Sequence, residues 1–400
     1  MRFCRVCSLG FGGVRMKVKI GFIGSGWRAH GYWNVIRELP EKFEVAAVLT
    51  HSGASRKETE REYPGRVYDQ FDEFVKQEMD FVMLLVPRRF VLGYVEKLFD
   101  HGIPVLCETP PANGLPELQE CYELKRRYQG KIQVAEQCFL RPYHSAVYQL
   151  IQEGRLGEAS NATISMLHDY HGISIIRRML GIGFENCAVI ARQYTFPVHT
   201  HCGRKGMYGD PGASVQDTRK VADFVFENGK VGFFGFSSEQ YFNYFRTCHF
   251  SVQGDQGEIF DCQAAYMGED GYPITGEIQR VDLGLYSNLE GYCMRGFLLN
   301  GEWIYRNPYE MLGGRLSDDE IAMASMLDGM TEYIRTGKEI YSLEDALQDT
   351  YLYLCMDEAI QKGGTVYTEN RAGRNNFRLH RKTILGKFGK PGMVFLASGC

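Results

Sequence analysis

The chain has 400 residues, of which 44% are hydrophobic and 24% charged, and its formal net charge is −4. This composition excludes a disordered, collagen-like or coiled-coil protein, and the length favours two domains. The acidic balance makes a nucleic-acid partner unfavourable. The longest clean apolar run, residues 81–87, is far too short to cross a membrane, so we expect no membrane partner either.

The first residues and the cysteines indicate where the protein works. Residues 1–15 lack the pattern of a secretory signal and are predicted to be a leader. Twelve cysteines are scattered singly, which is typical of reduced thiols in the cytoplasm. Cys4 and Cys7 form the only C-x-x-C, without the second pair that a zinc site needs. We therefore predict a cytoplasmic protein with no metal.

Strand-like and helix-like segments alternate from residue 17 to residue 137. The run Val18–Ile23 reads as a strand, and apolar residues then recur at helical spacing from Ala29. Further β-rich runs are apolar on both faces, as in a parallel sheet covered by helices on both sides. These runs are residues 43–49, 81–86, 105–107 and 132–135. Residues 16–140 are therefore predicted to form a doubly wound α/β domain of the Rossmann type.

The pattern changes near Leu140. A helix over residues 143–151 is followed by alternating strands, and Asn228-Gly229 between two β-rich runs predicts a hairpin. Ser317 and Ser342 each begin a capping-box pattern that opens a helix. Residues 141–366 are therefore predicted to form an α+β domain with a large, mostly antiparallel, open-faced sheet, and residues 367–400 a tail.

A glycine-rich turn follows the first predicted strand, with the pattern G-x-G-x-x-A at residues 24–29. The glycines permit a tight turn and close approach of a pyrophosphate, while the following helix N-terminus offers free N–H groups. A dinucleotide is the expected ligand, against the alternative of a purely structural turn. The turn residues predicted to bind it are Gly24, Ser25, Gly26, Trp27 and Arg28.

The end of the second strand bears on the choice between NAD and NADP. An acidic residue there normally holds the ribose hydroxyls of NAD, but this strand ends in Thr50 and His51. Both side chains could hydrogen-bond the ribose, and nearby cations could accept a 2′-phosphate. Alternatively, Arg56 and Lys57 only begin a solvated helix face, so the cofactor is predicted as NAD or NADP.

An ordered set of motifs resembles the Gfo/Idh/MocA family of sugar and polyol dehydrogenases. The motifs are residues 17–29, 85–87, 102–110, 151–157, 171–174 and 346–366. The resemblance implies NAD(P) bound by the first domain and an open sheet beside the nicotinamide, whose outer face often serves oligomerisation. It implies a carbohydrate-like substrate and a homo-oligomer. The remaining cofactor-binding residues that it implies are Val86, Pro87, Glu108, Thr109, Pro110 and Gln137.

The departures from the family pattern concern catalysis. The family usually has Glu-Lys-Pro where this chain has Glu108-Thr109-Pro110, and a threonine hydroxyl is neither a base near neutral pH nor a cation. The acidic residue that the family places three positions after its histidine is Ser174 here. The family's histidine after the third long strand does not appear either, since Arg88 follows Pro87.

The segment His168-Asp169-Tyr170-His171 resembles the family's catalytic region. We predict that His171 accepts the substrate's hydroxyl proton, since an ordinary imidazole has a pKa near 6.5. Asp169 could orient it, and Tyr170 or His168 could be a second acid or base. Alternatively, some of these residues only pack at a strand end.

Several other polar residues bear on the site. Tyr241, Tyr244 and Arg246 could line a sugar pocket. His144 follows the last strand of the first domain and is expected to be exposed. His199, His201 and Cys202 are interpreted as a solvated loop, because metal sites usually draw further ligands.

Three functions are compatible with these residues. The first is an NAD(P)-dependent oxidoreductase that transfers hydride from a secondary alcohol of a sugar or sugar derivative. The second is an NAD-dependent glycosidase without net redox change, in which oxidation, elimination, hydration and reduction follow one another. The loss of the lysine fits that route. The third is an inactive nucleotide-binding sensor.

Overall fold

The computed structural model describes residues 17–51, 53–200, 202–203, 206–207, 213–283 and 293–368. The predicted leader, the Cys4 and Cys7 pair and nearly all of the predicted tail lie outside these residues. So do His201 and the side chain of Cys202.

The first domain is a six-stranded parallel sheet in the order β3-β2-β1-β4-β5-β6. Its strands are β1 (Val18–Ile23), β2 (Phe43–Leu49), β3 (Val67–Tyr68), β4 (Phe81–Leu84), β5 (Val105–Cys107) and β6 (Ile132–Val134). Its helices are α1 (Trp27–Glu38), α2 (Gly53–Glu62), α3 (Phe71–Phe74), α4 (Val91–Asp100) and α5 (Leu115–Tyr128). All four residues of β4 are buried, as expected for a strand that is apolar on both faces. The strand order reverses at β1 and β4, which is where a doubly wound sheet binds its ligand.

The second part contains an eleven-stranded sheet in the order β18-β17-β16-β15-β14-β13-β7-β12-β11-β8-β19. Its elements begin with α6 (Pro142–Gln152), β7 (Ala159–Ser165), α7 (Asp169–Leu180), β8 (Cys187–His199), β9 (Cys202–Gly203), β10 (Gly206–Met207), β11 (Ser214–Phe226) and β12 (Val231–Ser237). They continue with β13 (His249–Gly254), β14 (Gly257–Phe260), β15 (Gln263–Met267), β16 (Pro273–Leu283), β17 (Cys293–Leu299) and β18 (Glu302–Arg306). The last are α8 (Asp318–Thr336), α9 (Leu343–Lys362) and β19 (Thr365–Tyr367).

Helices α6, α7 and α9 cover one face of this sheet, and β7 and β12 are its one parallel pair among the described strands. The opposite face exposes large apolar side chains, among them Ile190, Tyr194, Phe196 and Phe233. The predicted fold class, a Rossmann domain followed by a mostly antiparallel open-faced sheet, is therefore confirmed.

The predicted hairpin and helix caps form in the structure. Asn228 and Gly229 connect β11 and β12 in the expected hairpin. Ser317 forms a complete capping box with Glu320, and the Ser342 hydroxyl accepts from the Asp345 N–H. Strand β4 ends two residues before the predicted position, because the chain there turns toward Pro87 and a short 3₁₀ helix, Arg88–Phe90.

Helix α8 returns from the second sheet to the first domain and packs beside α1. Asn34 of α1 donates to Glu320 at 2.5 Å, and Lys42 pairs with Asp328 at 2.7 Å. The buried Gln133 of β6 accepts hydrogen bonds from the N–H groups of Ile340 and Tyr341. The two sheets are therefore joined by side chains as well as by the chain connection, so the division near residue 140 stays a prediction.

Among the described residues, no helix combines the length and apolarity that crossing a membrane requires. The eight cysteines whose side chains the structure describes are free thiols.

Candidate active site

The glycine turn forms an open cradle between β1 and α1. Gly24 has a φ of +104°, and an added Cβ would lie 2.3 Å from the carbonyl oxygen of Leu85, so this position requires glycine. A Cβ at Gly26 would meet nothing within 4 Å, and no side chain caps α1 there. This open helix N-terminus fits the pyrophosphate of a dinucleotide.

The predicted ribose contacts lie at the rim of the same cradle. The Thr50 and Ser25 hydroxyls are hydrogen-bonded at 2.8 Å, and both residues are buried. His51 is exposed and lies 3.2 Å from the Tyr94 hydroxyl, while Arg56 is paired with Asp69. The guanidinium of Arg56 is thus engaged elsewhere in the first domain.

The Arg28 guanidinium, close to the glycine turn, contacts two carboxylates and one amide. Its Nε lies 3.3 Å from Glu108 Oε2, and Nη1 lies 3.5 Å from Asp319 Oδ2 of α8. The amide oxygen of Gln137, turned toward Arg28, accepts from both terminal nitrogens at 3.2 and 2.9 Å. Arg141 donates to Asp319 at 2.8 Å, and its charge helps to lower the pKa of that carboxyl despite its burial. We therefore assign the side chains of Arg28 and Gln137 to a network that joins α1 to α8.

His171 lies buried at the start of α7 with one ring nitrogen engaged. Its Nδ1 is 2.5 Å from Glu136 Oε2 and 3.6 Å from Cys138 Sγ. The other Glu136 oxygen accepts from the Cys138 N–H at 3.1 Å, so the carboxylate is held from two sides. The described residues give Nε2 no hydrogen-bond partner, which leaves it as the nitrogen for a substrate.

The surroundings of His171 change its proton affinity. Burial alone would lower the pKa of the imidazole, but Cys138 and Glu136 raise that pKa well above its ordinary value. The sequence led us to expect an ordinary imidazole that accepts a proton. The pairing with Glu136 instead favours an imidazolium near neutral pH, which is a proton donor.

Glu136, Cys138 and His171 also present metal-ligand atoms within 4.8 Å of one another. Two ligands of one tetrahedral zinc ion, each about 2.0–2.1 Å from it, lie roughly 3.3 Å apart. The 2.5 Å between Nδ1 and Oε2 is a hydrogen-bond distance instead. The absence of a metal stays a prediction.

Tyr170 packs next to His171, and Thr109 is hydrogen-bonded to Glu108. The Tyr170 and His171 ring centroids are 4.5 Å apart. The Thr109 hydroxyl donates to Glu108 Oε1 at 3.2 Å. Burial raises the pKa values of both Tyr170 and Glu108.

Asp169 is turned away from His171, contrary to the orienting role considered for it. Its carboxylate lies 3.1 Å from Lys220 Nζ and 3.7 Å from His168 Nδ1, and Lys220 also pairs with Asp357 of α9. Glu136, two residues after β6, is instead the carboxylate that contacts the His171 ring, and a catalytic role of Asp169 stays a prediction.

The remaining candidates are placed as follows. His144 is buried, not exposed as expected, because its Nδ1 bonds the Cys138 carbonyl oxygen at 2.6 Å; burial lowers its pKa to about 4. Tyr241 packs against His168, while Tyr244 is exposed and Arg246 pairs with Asp217. Val86 and Pro87 follow β4, and Pro110 follows Thr109.

Sequence reasoning missed two acidic residues of this site. Glu136 follows β6 by two residues, and this place at a strand end, next to Gln137, was the signal that could have identified it. Asp319 was read only as part of a helix start, and its contact with Arg141 spans 178 residues of sequence. No local pattern indicates such a contact.

Known proteins share this fold. The oxidoreductase of Agrobacterium radiobacter, solved in complex with NAD⁺, L-tartaric acid and magnesium, matches 88% of this chain and 98% of its own with 16% identity and a TM-score of 0.63. The aldose-aldose oxidoreductase of Caulobacter crescentus, complexed with glycerol, matches 88% of this chain and 100% of its own with 18% identity and a TM-score of 0.59.

Sequence comparison matches part of the chain. Residues 18–136 match the model of the oxidoreductase family with an NAD-binding Rossmann fold. The uncharacterized Saccharomyces cerevisiae protein YMR315W is 28% identical over 130 residues, which are 31% of this chain and 37% of that protein. The chain thus aligns with well under half of that relative's length.

The parallel sheet, the glycine cradle and the family match define a dinucleotide-binding oxidoreductase domain at residues 18–136. This domain belongs to the Gfo/Idh/MocA family, which confirms the resemblance seen in the sequence. Its cofactor is a nicotinamide dinucleotide.

Proposed function

We propose that the protein is an NAD(P)-dependent oxidoreductase acting on a secondary alcohol of a sugar or sugar derivative. This proposal rests on the geometry of the His171 imidazole. Its Nδ1 is held by Glu136 of the first domain at 2.5 Å, which leaves Nε2 available to a substrate. An exchangeable proton held on a rigid ring is what alcohol oxidation and carbonyl reduction need.

Residues of the first domain would hold the cofactor. Gly24, Ser25 and Gly26 form the cradle for the pyrophosphate, and Thr50 and His51 lie where a ribose would reach. When bound, the nicotinamide supplies the acceptor or donor of hydride. Without a carboxylate after β2, the site suits either NAD or NADP.

His171 would exchange the substrate's proton through Nε2. In the reducing direction, the imidazolium donates this proton to the oxygen of a carbonyl, while Glu136 stabilises the charge that the ring carries. In the oxidising direction, the ring must first lose its proton and then accepts one from the hydroxyl. Reduction should therefore be favoured below the raised pKa of His171, and oxidation above it.

A redox-neutral glycosidase is the second candidate. Elimination and hydration need two acid or base groups, and the centroid distance of 4.5 Å places the Tyr170 and His171 rings side by side. Thr109 stands where the dehydrogenases of the family carry lysine, which agrees with this route. A homo-oligomer and a cytoplasmic location remain further proposals.

Cofactor uptake tests the proposal first. Calorimetric titration with NAD and NADP should show binding by the wild type. Gly26→Ala should fold normally, because its Cβ has open space, but should weaken binding at least about tenfold, since the methyl fills the cradle. Gly93→Ala on α4, where a Cβ also meets nothing, is the matched control. No uptake of either dinucleotide by the wild type would contradict the proposal.

Turnover then separates the candidates. A panel of sugars and glycosides is incubated with cofactor, and the absorbance of reduced cofactor and the release of aglycone are followed. Accumulating reduced cofactor supports the oxidoreductase, and aglycone release with only catalytic cofactor supports the glycosidase. Neither signal, with binding retained, indicates a sensor. Full activity of His171→Ala would contradict the proton-transfer assignment.

A further inference from the structure

The turn between β7 and α7 is held by a lysine of the second sheet. Lys220 of β11 donates to the Asp169 carboxylate at 3.1 Å and to the Asp357 carboxylate of α9 at 2.8 Å. Its Nζ also lies 5.2 Å from the centre of the Tyr353 ring. The side chains of Lys220, Asp169 and Asp357, which we call the Lys220 cluster, are 25%, 24% and 28% exposed, so solvent screens their attraction less than at an open surface. The cluster therefore joins α7, β11 and α9 at one point.

The aspartate held by this cluster has an uncommon backbone conformation. Asp169 has a φ of +43° and is one of four non-glycine residues with a positive φ among the described residues. Residues with a Cβ rarely adopt this left-handed region, which aspartate and asparagine tolerate best. Such a conformation persists only where the surrounding structure fixes it. Lys220 at 3.1 Å and His168 Nδ1 at 3.7 Å from the carboxylate are the neighbours that do so here.

The conformation of Asp169 determines where His171 lies. The His171 N–H donates to the His168 carbonyl oxygen at 3.1 Å, so Asp169 and Tyr170 are the two central residues of a turn. A change of φ at Asp169 would therefore move the His171 backbone relative to Glu136, which belongs to the first domain. The 2.5 Å contact between His171 Nδ1 and Glu136 Oε2 would not survive such a movement.

Lys220 does not replace the lysine that the family carries at position 109. Burial alone would lower the pKa of Lys220, but its bonds to Asp357 and Asp169 raise that pKa. The amine is therefore a fixed cation near neutral pH and not a base. Its contacts suit it to hold a neighbouring segment in place.

We propose that Lys220 is a positioning residue: by holding the Asp169 carboxylate, it fixes the left-handed turn that places the His171 ring against Glu136. This inference rests on the proposed function, in which His171 exchanges the substrate's proton. Asp169 then acts on His171 through the backbone of the turn, and its carboxylate does not act on the substrate.

Substitutions at Asp169 separate the conformation of the turn from the charge of the side chain. Asparagine tolerates a positive φ and can still accept from Lys220, glycine tolerates it without a side chain, and alanine does neither. We expect kcat within about twofold of the wild type in Asp169→Asn, about threefold lower in Asp169→Gly and about 30-fold lower in Asp169→Ala, with KM little changed. Equal losses in Asp169→Asn and Asp169→Ala would show that the charge itself is needed and would overturn the proposal. Full activity of Asp169→Ala would overturn it as well.

Nuclear magnetic resonance of the histidine rings tests the placement without cofactor or substrate. The His171 signals are those that disappear in His171→Ala, and their pH titration gives the pKa of the ring. Loss of the Lys220 cation would by its charge alone raise this pKa or leave it unchanged, whereas a loosened contact with Glu136 would lower it. We expect Lys220→Met to lower it; an unchanged or raised pKa would overturn the proposal. The titratable groups that interact with His171 are the same in this variant, namely Glu108, Glu136, Cys138, His168, Tyr170 and Tyr241.

A second lysine provides the matched control. Lys125 of α5 is likewise held between two carboxylates, those of Glu339 and Glu344. Lys220→Met should lower kcat about tenfold with little change in KM, while Lys125→Met should leave kcat and the His171 titration unchanged. Equal losses in both variants would indicate a general loss of packing and overturn the proposal. Circular dichroism and thermal unfolding confirm that each variant folds.

These experiments also separate the two proposals. If the wild type binds no dinucleotide, the proposed function fails, and the histidine titration still decides whether Lys220 places the His171 ring. If the wild type is active and depends on His171 but Lys220→Met is unaffected, only the positioning role of Lys220 fails.

Discussion

The His171 imidazole carries the chemistry of this site because its two nitrogens have different surroundings. Nδ1 is held at 2.5 Å by Glu136, which fixes the ring plane and favours the charged form. Nε2 therefore always presents the exchangeable proton. A carboxylate at the end of a buried strand holds such a ring more rigidly than one on a loop does.

The first residue-scale prediction concerns Glu136. Glu136→Gln keeps the shape but removes the anion, so the pKa of His171 should fall. Activity of the reducing reaction, which needs the imidazolium, should then be lost at lower pH than in the wild type. We expect kcat at the wild-type optimum to fall about 10²-fold. The pH dependence of kcat/KM measures both.

The control is Glu123→Gln, which removes an exposed carboxylate on α5. The pH dependence of the free energy of unfolding provides a second measurement. Because the pKa of His171 is raised in the folded protein, its pairing with Glu136 stabilises the fold fully at pH values below the ordinary pKa of histidine. This stabilisation is lost as the pH rises through the raised pKa. Glu136→Gln should flatten that slope. An unchanged pH profile would show that Glu136 does not govern His171.

Residue types in short motifs made part of this site predictable. The histidine stood in a recognisable segment, and the glycines stood between a strand and a helix. Its partner was harder to assign, because Asp169 is two residues away in sequence whereas Glu136 is 35 away. Asp169 is directed to Lys220 by the chain geometry at the start of α7, which sequence spacing does not reveal.

At the scale of elements, helix α8 contributes an acidic side chain to the first domain. Its first turn carries Asp319, which pairs with Arg141 and approaches Arg28, and its capping box fixes where that turn begins. Ser317 Oγ accepts from the Glu320 N–H at 3.3 Å, and Glu320 accepts from the Ser317 N–H at 2.8 Å.

We predict that Ser317→Ala destabilises the protein by about 1 kcal/mol, since the first turn of α8 loses its cap. Ser317→Asp, which keeps an oxygen acceptor, should remain close to the wild type. Denaturant unfolding at equilibrium measures both variants. Equal stability of Ser317→Ala and the wild type would show that the packing of α8 alone fixes its start.

The start of α8 was predicted from its capping pattern, the hairpin from Asn228-Gly229, and five of the six strands of the first sheet from their apolar runs. These local patterns do not indicate which helices pack against each other. The docking of α8 onto α1 depends on the path of some 180 residues between Arg141 and Asp319, and each intervening turn contributes to it.

At the scale of the whole molecule, Gln133 joins the two sheets. It is fully buried in β6, where its oxygen accepts from the N–H groups of Ile340 (2.7 Å) and Tyr341 (3.1 Å). Its amide donates to the Gly329 carbonyl oxygen at 3.4 Å. Buried backbone groups held in this way depend on a single side chain.

We expect Gln133→Leu to destabilise the protein by about 2–4 kcal/mol, because two backbone N–H groups lose their acceptor. Gln149→Leu, at an exposed position on α6, is the matched control. Chemical denaturation followed by circular dichroism and by tryptophan fluorescence should give one transition in the wild type. Two separate transitions would contradict a joined pair of sheets.

The link through Asp319 also has a consequence for biosynthesis. Arg141 leaves the ribosome 178 residues before the carboxylate that neutralises it. A nascent chain that has already folded its first sheet therefore carries the Arg141 guanidinium without its carboxylate partner, while Arg28 already has Glu108 at 3.3 Å. Translation must reach α8 before the cradle acquires its final electrostatics, so a coenzyme meets the finished surface only late in synthesis.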